Sequence, residues 1–243
     1  MKTHTADDGA AEVIGFILII ALVVAVAAIW VLVYIPAQGN AVETNHARLV
    51  TEEIADIKYG IDLLWTSDRR GINVSRIISP SPVGGTELSG LLFLSPPVGT
   101  GTISVSPGTN FTVVYSGGTV FVYALKIAYN SANYYASDVR IVYDGGAVFR
   151  GQKNKTPYVL LPPTTGGSQL VLVAVSGGGE QQILSNTPLG ITYKYNSTQF
   201  YPSASVTVNA SSEYAGLWNA SIGAPFLGDV TVVKYDVLIR GLT

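Results

Sequence analysis

From Val13 to Ile35 the chain reads VIGFILIIALVVAVAAIWVLVYI and carries no charged side chain. As a helix, about 23 residues rise roughly 34 Å, enough to cross the hydrocarbon core of a bilayer. Pro36, Gln38, Gly39 and Asn40 close the run. A helix buried in a water-soluble protein usually keeps a polar face, and this one has none. The stretch is therefore read as a membrane-spanning helix at some stage of the protein's life. Glu12 is the one charge at its start. A carboxylate in lipid either sits at the headgroup level or needs a partner, so Glu12 carries both readings.

A cleaved secretory signal has a basic start, a shorter apolar stretch and a small-residue cleavage site after it. Here the apolar run is too long, and helical periodicity continues beyond it. Gly9, Ala10, Ala11, Glu12, Val13, Ile14, Gly15 and Phe16, leading into an unbroken apolar helix, resemble archaeal type IV pilin-like proteins with a class III signal peptide. The resemblance covers roughly residues 6 to 35. It implies that a leader, residues 1–9, is cut between Gly9 and Ala10 by a prepilin peptidase, leaving the helix as mature N-terminus. It also implies Glu12 as an assembly residue beside the new α-amino group, and partners in a pilus assembly machinery. Where the family usually has Lys or Arg before the cut, this chain has Asp7 and Asp8.

Residues 41–66 are amphipathic. Val50, Ile54, Ile57, Ile61 and Leu64 form one apolar seam, with Glu52, Glu53, Asp56, Lys58 and Asp62 largely off it. The seam is expected to pack on the chain's own C-terminal domain, with at most one kink near Pro36–Gly39 and a helix end at Gly71. From Ile72 the texture changes to short Val, Ile, Tyr and Phe runs punctuated by Gly, Pro, Ser, Thr and Asn. Strands are expected at 91–94, 102–105, 111–115, 120–129, 139–143, 147–150, 170–175, 191–195, 204–208 and 230–239. The pair 139–143 and 147–150, joined through Asp144, Gly145 and Gly146, reads as a hairpin. No helical pattern alternates with these strands. The expected fold is therefore α+β: residues 10–66 a long N-terminal helix, residues 72–243 a mainly antiparallel β-sandwich head.

Asn73, Asn110, Asn154, Asn196, Asn209 and Asn219 each open an Asn-x-Ser/Thr sequon. Composition alone would produce about two. The excess lies on one side of the apolar helix and points to an extracellular head bearing N-linked glycans. A sugar coat would keep soluble a chain in which only 12% of residues are charged. Ser- and Thr-rich loops would raise the sequon count by composition alone. With a net charge of -2 there is no electrostatic case for nucleic acid. The chain has no Cys, and His4 and His46 both lie outside the head, so a disulfide framework, a thiolate metal site and a His-based head site are excluded. No cofactor is expected, and an enzyme is not. Glu87 with Asp138 is an unsupported carboxylate pair. Residues 151–155 are a small basic loop. Tyr123, Tyr129, Tyr134, Tyr135, Tyr193, Tyr195 and Tyr201 read as cross-strand packing rather than a sugar-stacking patch. The expected role is a self-associating pilin in a surface filament, inserted in the cytoplasmic membrane as precursor. The alternative is a membrane-anchored adhesion or binding module.

Overall fold

The computed structural model describes residues 6–68, 70–82, 99–153, 155–166, 168–176, 183–185 and 187–241. The expected strand at 91–94, Glu87 and Asn154 lie outside the described residues. One rod dominates the N-terminal quarter: helix α1 (Ala6–Ile29), a π-helical turn (Trp30–Tyr34) and helix α2 (Ile35–Thr66) follow one another without a break. Pro36 lacks an N–H, and its ring crowds the carbonyl four residues back. The turn before it widens instead of breaking: the Ile35 N–H donates to the Trp30 carbonyl, five residues back. The expected interruption at Pro36–Gly39 is thus a π turn just ahead of it. The helix ends at Thr66, earlier than Gly71, which lies with φ +79° in the turn leading to β1.

The strands are β1 (Asn73–Ile78), β2 (Thr100–Tyr115), β3 (Gly118–Ala132), β4 (Val139–Asp144), β5 (Ala147–Gln152), β6 (Lys155–Leu161), β7 (Thr165–Gly166), β8 (Gln169–Val175), β9 (Ile183–Ser185), β10 (Leu189–Val208) and β11 (Phe226–Gly241). The 139–150 hairpin is present, with Gly145 and Gly146 at φ +61° and +109°, the left-handed pair that a tight two-residue turn requires. Two pairs of expected strands merge. Residues 102–105 and 111–115 belong to β2, and 191–195 and 204–208 to β10, each continuous through bulges. Those bulges, near Pro107, Asn196 and Pro202, carry the residue types that read as turns.

The sandwich expectation is corrected to a closed ring. β3, β2, β10, β11 and β8 pair in succession, and the Ala124–Ala174 bridge joins β8 back to β3, making a five-stranded barrel. β4, β5 and β6 extend the sheet from the other half of β3. The ring closes because the long, bulged strands bend and change neighbours along their length. Among the described residues one pairing, β8 with β11, is parallel and the others are antiparallel. Helix α3 (Ala215–Ile222), unforeseen in the sequence, follows β10 and is stopped by Gly223 at φ +66°.

Two cores result. Val50, Ile54, Ile57, Ile61 and Leu64 are all buried, against Ile127, Tyr129, Ile141, Tyr143, Tyr193 and Tyr235 of the sheet. A second cluster gathers side chains from all five ring strands, with the fully buried Trp218 of α3 edge-on to Phe111 at 4.8 Å. β8 serves both: Val171 and Val173 join the first cluster, Leu170, Leu172 and Ala174 the second. A strand covered on both faces reads as an uninterrupted apolar run, as QLVLVAV does.

Candidate functional site

From Glu12 to Tyr34 no residue of the rod is buried. Phe16 is 63% exposed, Leu22 65% and Leu32 74%, on different sides of the helix. An apolar surface that encircles a helix must be surrounded by lipid or by other helices. By length and composition this is the one described helix fit to cross a membrane, and a signal sequence would look alike. Gly9 and Ala10 lie within α1, so the expected cut would fall inside a helical segment. Glu12 is exposed and has no side-chain partner among the described residues. At the π turn, Trp30 and Tyr34 stack with ring centroids 4.1 Å apart.

The rod is bolted to the head two turns after Pro36. Glu43 is 1% exposed and ionisable, and its two oxygens accept four backbone N–H groups. Oε1 accepts from Gly99 at 3.0 Å and Tyr134 at 2.8 Å; Oε2 accepts from Tyr135 at 2.8 Å and Ala136 at 2.7 Å. Asn40 Nδ2 donates to the Tyr135 carbonyl at 3.3 Å, and the Tyr135 ring lies where a Cβ on Gly39 would be. A carboxylate with its lone pairs filled by N–H donors tolerates burial that an unpaired one does not. Sequence reading missed this residue. Its signal was faint: an acidic side chain in phase with Val50 and Ile54, on the inner face of the helix.

Three further titratable groups sit on that face. His46 is buried edge-on to Tyr129, with centroids 6.0 Å apart. Desolvation holds its pKa below the ordinary imidazole value, against a hydrogen bond with the Pro80 backbone that favours the charged form. Glu53 accepts the Ser79 N–H at 3.2 Å, and burial pushes its carboxyl up. Lys58 is buried too, donating to Asp62 of the same helix at 2.7 Å and to Thr164 Oγ1 of the head at 3.4 Å. Each of these groups ties the rod to the head.

The remaining sequence candidates scatter. Asp138 accepts the Asn133 N–H at 2.8 Å and lies 3.6 Å from Lys153 of the basic loop, which makes both structural. Tyr129, Tyr193, Tyr195 and Tyr201 are buried, while Tyr123 and Tyr134 are exposed on separate segments, so the tyrosines form no common patch. Among the sequons, Asn73, Asn196, Asn209 and Asn219 are exposed and Asn110 is half-buried. Neither a curated protein nor a solved structure matches this chain. Residues 66–236, most of the head but not the apolar helix, match a family of unknown function (DUF7289), and the chain belongs to that family.

Proposed function

We propose that the protein is a pilin-like structural subunit of a surface filament. The apolar helices would form the filament core and the β heads its outside, after a stage in which the helix spans the cytoplasmic membrane. The observation that carries this reading is the rod itself. It is apolar on every side from Val13 to Tyr34, uncovered by its own head, and continuous with a helix locked into that head through Glu43. A locked rod transmits the position of the head to the helix, which a filament needs and a tethered binding module does not. Ala10, Ala11, Gly15, Ala21, Ala25, Ala27 and Ala28 are small and let neighbouring helices approach closely. In such a core Glu12 would be desolvated, and the α-amino group freed by a cut before Ala10 is the nearest cation to offset that cost.

The test is assembly. Sheared surface fractions of cells expressing the full chain should contain filaments by electron microscopy, and their subunits should begin at Ala10. Glu12→Ala should leave membrane insertion and the folded head intact while cutting filament yield strongly. If that variant assembles normally, or the protein is found only in the membrane, the chain is an anchored surface-binding module.

A further inference from the structure

We propose that Asn209 is the principal glycan acceptor of this head, and that its first sugar lies in the adjoining cleft over Tyr123. The inference rests on the extracellular placement proposed above.

The sequons differ in how their side chains are held. Transfer to Asn requires its Nδ2 to reach a membrane-lipid-linked glycosyl phosphate. A C–N bond forms at the anomeric carbon, the anomeric C–O bond to phosphate breaks, and Nδ2 loses one proton as the lipid phosphate leaves. At Asn209 the Oδ1 accepts both the Ser211 N–H at 3.0 Å and the Ser211 hydroxyl at 2.9 Å. This Asx turn engages the oxygen and leaves Nδ2 without a partner among the described residues, on an exposed turn. No other described sequon is arranged so. Ser75, of the Asn73 sequon, bonds Thr192 at 2.7 Å. Asn196 uses its Nδ2 toward Ser176 and Asp236, and Thr198 is turned to Tyr195. Ser221, of the Asn219 sequon, donates to the Leu217 carbonyl at 2.7 Å within α3. Asn110 is half-buried in β2 with an enclosed Oδ1 that has no partner.

Asn209 and Asn110 line one cleft of about 370 Å3, together with Tyr123, Lys126, Asp144 and Glu213. Its walls are tied together by hydrogen bonds. The Asn209 N–H donates to the Asn110 carbonyl at 2.9 Å, and the Asn110 N–H donates to Ser212 Oγ at 3.3 Å. The buried Asp144 accepts the Thr109 N–H at 3.0 Å and its hydroxyl at 2.6 Å. Tyr123, 52% exposed, offers a ring face to the C–H face of a pyranose. Lys126 and Glu213, which also line the cleft, offer a donor and an acceptor to sugar hydroxyls. The sugar attached at Asn209 is the occupant closest to hand.

Glycopeptide mass spectrometry on the full chain purified from its native host should find Asn209 the most occupied sequon and Asn110 bare. Asn209→Gln and Ser211→Ala should each remove that glycopeptide, and chain made without glycosylation should still fold. Tyr123→Ala should lower the melting temperature of glycosylated protein and have no further effect in the Asn209→Gln background. A bare Asn209 beside other occupied sequons would overturn the acceptor assignment alone. Glycan on Asn110, or additive effects of Tyr123→Ala and Asn209→Gln, would overturn the cleft seating. If all sequons are bare, the glycosylated surface falls with it.

Discussion

Single residues on the inner face of α2 do more than fill the core. Glu43 satisfies four backbone N–H groups from two segments, so Glu43→Ala would strand buried donors at about 1–3 kcal/mol each. The expected loss is at least about 3 kcal/mol of unfolding free energy, read from denaturant unfolding of the full chain in detergent. Glu43→Gln should also destabilise, because its NH2 would face N–H donors. A change within about 0.5 kcal/mol for Glu43→Ala would show that the clamp holds nothing. His46 sets a pH response. Its folded-state pKa lies below the unfolded value of about 6.5, so between the two the unfolded chain binds more protons. Stability is then full above pH ~6.5 and declines as pH falls toward the folded pKa. Glu53 and Asp144, raised by burial, act with the opposite sign lower on the scale, since they take up protons in the folded state first. Thermal melts of His46→Asn should therefore show a flatter stability profile just below pH ~6.5 than wild type; an unchanged slope would remove His46 from that limb.

At the scale of elements, the contact between α2 and the head is set by what the helix lacks. Gly39 and Gly60 face the Tyr135 ring and the Tyr193 hydroxyl at distances that leave no room for a Cβ. Gly→Ala inside an exposed helix normally gains up to about 1 kcal/mol. At Gly39 the sign should reverse, with a loss of about 1–3 kcal/mol from overpacking, read from thermal unfolding of the full chain. The periodic seam from Val50 to Leu64 was legible because each of its residues is buried for the same local reason, one face of one helix. Gly39 ahead of it and Gly60 within it were not, because a close approach is invisible until its partner is known. The same holds for the strands. Their short apolar runs marked β3, β4, β5 and β8, while bulges written in turn-forming residues disguised β2 and β10 as pairs.

The whole molecule is a head with a firmly fixed, solvent-incompatible rod. Val13 to Tyr34 presents large exposed apolar residues all round, including Phe16, Leu22 and Leu32. Burying such a side chain in an apolar phase is worth about 1.5–3 kcal/mol each. The full chain is therefore expected to resist carbonate extraction from membranes and to leave them only in detergent or as polymer. Release as a free monomer by carbonate would refute the exposed rod. Because the head matches its family without the helix, head and rod can be asked separate questions, and the clamp at Glu43 is where they meet.

The amino-acid sequence by itself determined the elements whose evidence is short-range: the uncharged 23-residue helix, the seam behind it, the Asp144–Gly146 hairpin and the β texture of the head. Hydrophobic period and turn chemistry act over a few residues, so they can be read without partners. Tertiary structure alone decided the closure of the barrel, which depends on Ala124 meeting Ala174 from fifty positions away. It alone made Glu43 a buried clamp, since the N–H groups it accepts lie 56 and 91 to 93 residues along the chain. It alone separated Asn209 from the other sequons, because identical triplets differ only in the backbone that carries them. Closure, charge burial and side-chain presentation are properties of pairs of distant residues, and only the folded chain brings those pairs together.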